Sequence, residues 1–144
     1  PATVENAYYN YKAYSSNFTG EDDSDTNIRY LRYAEVLLMK AEAMNELGQT
    51  TAAIPYLNQV RTRAKLAGTT ATSQQAVREA IWNERRLELA FEHDRWFDLV
   101  RTGQAQTAMA ADGKTFKVGT NEVFPIPQTF INLSNGLTEQ NPNY

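Results

Sequence analysis

Apolar side chains between residues 28 and 47 return every three or four positions, which is the spacing that places them on one face of a helix. The inward-facing set is Ile28, Leu31, Ala34, Leu37, Leu38, Ala41 and Met44. Gly48 follows, and glycine readily adopts the left-handed backbone with which many helices end. The pattern therefore predicts a first helix over 28–47.

The same spacing predicts a second helix over 50–66, capped by Thr50 or Thr51. Its inward positions are Ala53, Leu57, Val60 and Ala64. Because the connection to the first helix is short, the two helices are expected to lie antiparallel. The sequence around this turn is similar to a tetratricopeptide repeat (TPR), so a second, degenerate helix pair is expected over 74–103.

The stretch 80–103 contains the central element of the predicted helical packing. A long helix should end near residue 92, where His93 breaks it, and Gly103 should end a short helix that follows. The main apolar stripe of the long helix consists of Val77, Ala80, Leu87 and Phe91. Trp82 and Leu89 lie off this stripe, and a helix that is apolar on more than one face must be covered on more than one face.

Charged residues interrupt the apolar positions of the central helix, and they are Glu84, Arg85, Arg86 and Glu88. Charges near a core are tolerated when they are paired and hydrogen-bonded, so we predict a structural ion-pair cluster. A catalytic role is not favoured for Glu84 and Glu88. They project the same way from one helix, whereas the two carboxylates of a glycosidase flank the sugar bond from opposite sides.

Residues 1–27 have no sustained helical period and are rich in aromatic residues. We expect irregular structure laid over the helices. Flat rings with a hydroxyl or indole N–H can also stack on the apolar faces of sugars, so some of these rings are candidate ligand contacts. The candidates are Tyr8, Tyr9, Tyr11, Tyr14 and Trp82. The alternative for the tyrosines is packing over the first helix.

A loop with a short hairpin is predicted after residue 103. Residues 104–109 are expected to add a helical turn or two. Two short apolar pairs then flank a turn, and the first pair, Phe116 and Val118, is expected to form a hairpin with Val123 and Phe124.

The final twenty residues are predicted to form an extended strap on the helices. Pro125, Pro127 and Pro142 argue against a regular helix there. The segment is nevertheless too apolar for a free tail. The side chains expected to be buried beneath the strap are Ile126, Phe130, Ile131, Leu133 and Leu137.

Composition excludes several classes of function. A net charge of -3 over 144 residues gives no support to nucleic-acid binding. The absence of cysteine excludes thiolate metal sites and a cysteine nucleophile.

An acidic run at 21–25 begins like a calcium loop, but Ile28 and Ala34 occupy the positions where that loop needs Gly and Glu. His93 has no serine near it in a nucleophile motif. We therefore predict no metal, no cofactor and no enzyme activity.

Four sequence blocks carry a more specific signal. They are IRYLRYAEVLLMKAEAMNELG, AIPYLNQVRTRAKL, REAIWNERRLELAFEHDRWFDLVRTG, and PIPQ followed by LTEQNPNY. In this order they resemble the C-terminal region of the SusD/RagB family. The resemblance implies a surface-exposed lipoprotein of the outer membrane in Bacteroidetes-type bacteria, which binds glycans or other nutrients and passes them to a TonB-dependent transporter of the SusC type.

The resemblance also implies that most sugar contacts lie upstream of this segment and that the whole protein is longer. Family members carry a lipid anchor on a cysteine, which this sequence lacks. The chain begins with Pro rather than Met. We therefore expect a fragment or processed product, attached to the membrane only through an anchor outside this chain.

The predicted fold is mainly α, with TPR-like antiparallel helix pairs. Residues 1–144 are predicted to be a single domain, the C-terminal portion of a larger SusD/RagB-like protein. It comprises an irregular segment at 1–27, a helical core at 28–103, and a loop, short hairpin and strap at 104–144. The predicted function is that of the helical scaffold in a glycan-binding component. A free-standing TPR-like adaptor is the alternative, but such adaptors finish with a polar capping helix rather than a proline-rich ending.

Overall fold

The computed structural model describes residues 10–13 and 29–144, and these residues are mainly helical with no β-strand among them. Contacts divide the chain into two compact units, Pro1–Arg95 and Trp96–Tyr144. The helical elements of the described residues are a 3-10 helix at Tyr11–Ala13, α1 at Tyr33–Glu46, α2 at Thr50–Arg63, α3 at Gln74–Glu88, α4 at Arg95–Arg101, α5 at Ala105–Ala111 and α6 at Gln128–Leu133.

The core of the first unit lies where α1, α2 and α3 meet. Its buried apolar side chains are Leu37, Leu38, Ala41, Leu57, Val60, Val77 and Ile81. The predicted inward faces of the first two helices are therefore largely confirmed. Their ends differ from the prediction, because α1 begins at Tyr33 and leaves Leu31 exposed, and α2 ends at Arg63 and leaves Ala64 exposed.

One buried side chain joins the ends of the three helices. Asn45, at the end of α1, donates from Nδ2 to the carbonyl of Gln74 at 2.9 Å. Its Oδ1 accepts from the hydroxyl of Thr50 at 2.9 Å. The starts of α2 and α3 thus lie together at the end of α1, so α1 runs antiparallel to both.

The parallel course of α2 and α3 differs from a tandem TPR array, in which successive helices alternate in direction. Residues 64–73 return along α2, where the Asn58 side chain accepts from the Thr69 N–H at 2.8 Å. The TPR-like arrangement is not confirmed. The second pair expected over 74–103 stays a prediction, as does the single domain over 1–144.

Helix α3 ends four residues earlier than predicted and buries a different stripe. Ser73 caps its start by accepting from the Ala76 N–H. Its buried residues are Val77, Ile81, Glu84, Arg85 and Glu88. The prediction that Leu87 and Phe91 face inward is wrong, since both are exposed. The prediction chose the inward positions from apolar side chains alone, and this choice selected Leu87 and Phe91. The second half of the true inward stripe carries charged side chains instead.

The predicted hairpin over 116–124 is also wrong. The N–H groups of Thr120 and Asn121 both bond to the carbonyl of Lys117, at 3.1 and 2.9 Å. The Lys117 N–H in turn donates to the Asn121 side chain at 2.6 Å. Gly119 has φ +78, which permits this tight turn. Because consecutive turns use these backbone groups locally, they are not available for pairing between strands.

The predicted strap is only partly correct, because α6 forms within it. Pro127 precedes α6, and its carbonyl accepts from the Phe130 N–H at 2.9 Å, so the proline begins the helix instead of preventing it. Ile126 and Ile131 are partly buried. The expected burial of Phe130, Leu133 and Leu137 is wrong, since all three are exposed.

Polar side chains fasten the last residues to 123–126. The Gln140 side chain accepts from the Ile126 N–H at 2.7 Å and donates to its carbonyl at 2.9 Å. Asn141 donates from Nδ2 to the carbonyl of Phe124 at 2.7 Å. The prolines at 125 and 127 have no N–H to contribute to a ladder, so side-chain amides take the place of a paired strand.

Candidate functional site

Helix α3 directs three charged side chains into the first unit. Glu84, Arg85 and Glu88 are buried on the face that also carries Val77 and Ile81. Removing the partner of a buried charge costs several kcal/mol, so a stable structure needs opposite charges close by. Other helices and segments of the first unit supply them.

Glu84 and Arg85 each meet a partner on a different helix. Arg61 of α2 lies with Nη1 2.7 Å from Oε2 of Glu84. Arg85 has Nη2 3.5 Å from Oε1 of Glu35, which is on α1. The two ion pairs therefore connect α3 to both of its neighbours in the core.

Two arginines form ion pairs with the carboxylate of Glu88. Arg32, just before α1, has Nη1 3.0 Å from Oε1, and Arg63 of α2 contacts Oε2. Arg32 also donates from Nη2 to the backbone carbonyl of Glu88 at 3.0 Å. Arg32 thus holds both the side chain and the main chain at the end of α3.

Arg32 and Lys12 also share Glu92, in the turn after α3. Arg32 Nε is 2.6 Å from Oε2 of Glu92, and Lys12 Nζ is 2.5 Å from Oε1. Lys12 donates further to the carbonyls of Glu88 and Ala90, at 2.5 and 3.1 Å. Burial alone would raise the pKa of Glu92, but hydrogen bonds from Arg32 and Lys12 outweigh it and lower the pKa of this carboxyl. The hydrogen bond to Glu92 likewise raises the pKa of Arg32.

We call these five residues the terminal charge cluster: Lys12, Arg32, Arg63, Glu88 and Glu92. Every carboxylate oxygen in it accepts from at least one of the three cations. Neither carboxylate therefore presents a free oxygen for proton transfer to a substrate. The arrangement instead fastens together the 3-10 helix, the start of α1, the end of α2 and the end of α3.

The residues of the predicted ion-pair cluster have different surroundings. Glu84, Arg85 and Glu88 are buried, whereas Arg86 is exposed and forms no ion pair within 10–13 and 29–144. Their partners are other residues, which sequence reasoning missed. Arg61 and Arg63 were detectable in principle, because they follow the inward Val60 at the end of α2 and carry the charge that inward glutamates need.

Only two of the five aromatic ligand candidates fall in the described part of the chain. Tyr8, Tyr9 and Tyr14 lie outside the described residues. Tyr11 is 74% exposed in the 3-10 helix beside Lys12. Trp82 is half-buried, and its indole N–H donates to Oε1 of Glu42 on α1 at 2.9 Å. The indole of Trp82 therefore contributes to the contact between α3 and α1.

The described residues contain neither a metal-binding group nor a helix that could span a membrane. Residues 10–13 and 29–144 contain no group of three or more His, Asp or Glu side chains placed to hold a metal ion. Over the same residues, every helix is too short or too polar to cross a membrane.

A comparison with protein families decides where this architecture belongs. The model of the SusD family matches residues 2–144. The chain belongs to the SusD family. The predicted resemblance is thereby confirmed, and family membership now covers the aromatic N-terminal segment as well as the helices.

Individual SusD-family proteins support the same assignment. SusD-like protein P2 of Formosa agariphila is 33% identical over 150 residues, a match that covers 95% of this chain and 29% of that protein. A laminarin-binding SusD-like protein of known structure is 42% identical, with a TM-score of 0.68, over 83% of this chain and 23% of its own. Surface glycan-binding protein A of Bacteroides thetaiotaomicron, in complex with laminarihexaose, is 33% identical with a TM-score of 0.72, over 83% of this chain and 25% of its own. The chain thus spans less than a third of the length of each of these SusD-family proteins.

Proposed function

We propose that this chain is the helical scaffold of a glycan-binding component in a SusC/SusD-type uptake system. The observation that carries the proposal is its 42% identity to a laminarin-binding SusD-like protein, across 83% of the chain. A second similar structure contains bound laminarihexaose. The ligand class we propose is therefore an oligosaccharide or polysaccharide.

The terminal charge cluster supports a scaffold rather than a catalyst. Its carboxylates are occupied by Lys12, Arg32 and Arg63, and it joins four segments of the first unit. Oxygens engaged in this way are poorly placed to donate or accept a substrate proton. A binding role without bond cleavage fits the family, whose members are binding proteins.

The same proposal names a partner and a location. The partner is a TonB-dependent transporter of the SusC type, which would receive the glycan. The location is the cell surface, as a lipoprotein of the outer membrane. Membership of the SusD family supports both proposals.

Glycan binding tests the proposal directly. The complete polypeptide encoded by the gene, and this 144-residue chain, are applied to a glycan array that includes laminarihexaose. We expect the complete polypeptide to bind at least one glycan and the chain alone to bind none, since a scaffold lacks most ligand contacts. If the complete polypeptide binds no glycan, the proposed function is wrong.

Two substitutions in the complete polypeptide then test the described aromatic candidates. They are Tyr11→Ala and Trp82→Phe, each checked for unchanged unfolding. A loss of glycan affinity of fivefold or more identifies a ligand contact. Unchanged affinity assigns the ring to packing.

A further inference from the structure

We propose that the outer face of α1 is a docking surface for an amphipathic helix from the remainder of a SusD-family polypeptide. The outer face consists of Val36, Met39, Ala43 and Leu47, the last at the C-cap of α1. This surface would contact another part of the same polypeptide, and it is separate from the glycan contacts of the proposed function.

The outer face is apolar although the other sides of α1 are already packed. The inward residues of α1, among them Leu38 and Ala41, are buried in the core with α2 and α3. On the opposite side Val36 is 39%, Met39 42% and Leu47 76% exposed, and Ala43 is exposed between them. A helix with apolar side chains on two opposite sides is expected to be covered on both sides.

The exposed faces of the two neighbouring helices are different. On α2 that face includes Thr51, Gln59 and Thr62, and on α3 it includes Gln75, Glu79 and Asn83. Polar side chains of this kind are what solvent-facing helix positions normally carry. Ala52 and Pro55 of α2 and Leu87 of α3 are exposed as well. Of the three helices, however, only α1 carries several large apolar side chains on its exposed side.

Long charged side chains at the edges of the outer face leave it open. Such side chains often lie over apolar surface and shield it. Here the ammonium of Lys40 lies 4.2 Å from the ring centroid of Tyr56 on α2. On the other edge, Glu46 accepts from Arg78 of α3 at 2.6 and 2.5 Å. The charged side chains at both edges thus point towards the neighbouring helices and away from the apolar centre.

The spacing of the outer face fits a helix as its occupant. Positions 36, 39, 43 and 47 follow one another by three, four and four residues, which is the seam that a second helix packs against. Ala43 is small and central, so it permits a close approach of the two helix axes, at about 8 Å. A glycan is a poorer fit, because the four residues offer neither a ring nor a hydroxyl.

Relatives in the SusD family show where such a helix can come from. The match to SusD-like protein P2 covers 29% of that protein, and the match to the laminarin-binding protein covers 23%. Each therefore has more than twice as much polypeptide outside the matched segment as within it. That remainder is ample to provide a helix that covers the outer face.

The absence of cysteine from this chain makes a selective test possible. Ala43→Cys places a thiol at the centre of the outer face, and Gln59→Cys places a control thiol on the polar exposed face of α2. Each variant is made in the 144-residue chain and in the complete polypeptide encoded by the gene. Maleimide labelling at each site is followed by peptide mass spectrometry. A benzophenone maleimide on the Ala43→Cys variant then identifies the contacting segment by photocrosslinking.

We expect the thiol of Ala43→Cys to react as fast as that of Gln59→Cys in the isolated chain, and at least tenfold more slowly in the complete polypeptide. The thiol of Gln59→Cys should stay reactive in both proteins. The crosslink from position 43 should reach a helical segment outside residues 1–144 of the same polypeptide.

Three results would overturn the proposal. The first is equal reactivity of the Ala43→Cys thiol in both proteins, the second is a gene that encodes nothing beyond this chain, and the third is a crosslink to a second copy. Glycan binding does not enter any of these readouts, so failure here leaves the proposed function intact.

Discussion

At Glu88, a charged side chain occupies a position that an apolar residue would normally take in a helix of this kind. Arg32 and Arg63 each hold one of its carboxylate oxygens. The cost of burying this charge is offset only while both partners are present, because breaking a buried pair leaves the remaining charge uncompensated. A single substitution of Glu88, Arg32 or Arg63 should therefore lower stability more than the substitution of a polar residue on the surface.

Neighbouring arginines on α3 allow a direct comparison. Arg85 is buried against Glu35, whereas Arg86 is exposed. We expect Arg85→Ala to lower the free energy of unfolding by about 3 to 5 kcal/mol, because it leaves Glu35 as a lone buried charge. Arg86→Ala should change it by no more than about 0.5 kcal/mol. Urea denaturation of both variants measures the difference, and equal effects would show that Arg85 and Glu35 are not a buried pair.

Sequence reasoning at the residue scale found the inward charges but not their partners. The charges were visible because Glu84, Arg85 and Glu88 interrupt an apolar pattern on one helix. Their partners lie on other segments, and pairing across segments depends on how helices are arranged in space. The pattern along α2 marks Arg61 and Arg63 as candidate partners, but it contains no information about which glutamate each one meets.

Helix α1 is the element on which prediction worked best, and the reason is its spacing. Leu37, Leu38 and Ala41 recur at helical intervals and are buried as predicted. The predicted start of α1 is five residues too early, because Leu31 continues the apolar spacing although it precedes the helix and is exposed. Periodicity locates a face reliably, but the end of a helix depends on local capping and turn geometry.

Two alanines of α1 test which face is packed. Ala41 is completely buried in the core, and Ala43 lies on the outer face. We expect Ala41→Leu to cost about 1 to 3 kcal/mol in unfolding free energy, because the added carbon atoms must displace closely packed neighbours. Ala43→Leu in the isolated chain is the matched control and should stay within about 0.5 kcal/mol of the parent. Urea denaturation compares the two, and a stable Ala41→Leu variant would contradict the packing described for α1.

Prediction was poorer for the second unit, for a physical reason. The turns around Gly119 and the tail beyond α6 are held by hydrogen bonds from side chains such as Asn121 and Gln140. Bonds of this kind follow no period along the sequence. The positions of the apolar residues therefore suggested a hairpin where the chain forms turns. They also suggested a buried strap where it forms α6.

On the scale of the whole molecule, the terminal charge cluster makes the first unit sensitive to acid. Lys12 and Arg32 meet at Glu92, whose lowered pKa shows that the folded state favours the ionised carboxylate. An ordinary glutamate has a pKa of about 4.3. Since the folded pKa of Glu92 is lower, its stabilising contribution is present above the ordinary value and is lost as pH falls through the folded value.

The pH dependence of unfolding tests this contribution. We expect the free energy of unfolding to fall as pH is lowered from about 6 to about 3, and to fall less in Glu92→Gln, whose side chain has no carboxylate to protonate. Glu139→Gln, at an exposed position, is the control and should follow the parent. Urea titrations at several pH values supply the curves. Parallel curves for the parent and Glu92→Gln would show that Glu92 contributes no acid sensitivity.

The carboxamides of Gln140 and Asn141 hold the C-terminal residues, together with the hydroxyl of Tyr144, which donates to the carbonyl of Val123 at 2.8 Å. Conversion of either carboxamide to a carboxylate, as in Asn141→Asp, would remove its N–H donors. At Asn141 the new oxygen would face the carbonyl of Phe124, so attraction would become repulsion. A regular strand would tolerate that change because its bonds belong to the backbone, whereas here it would remove one of the bonds that hold the end of the molecule.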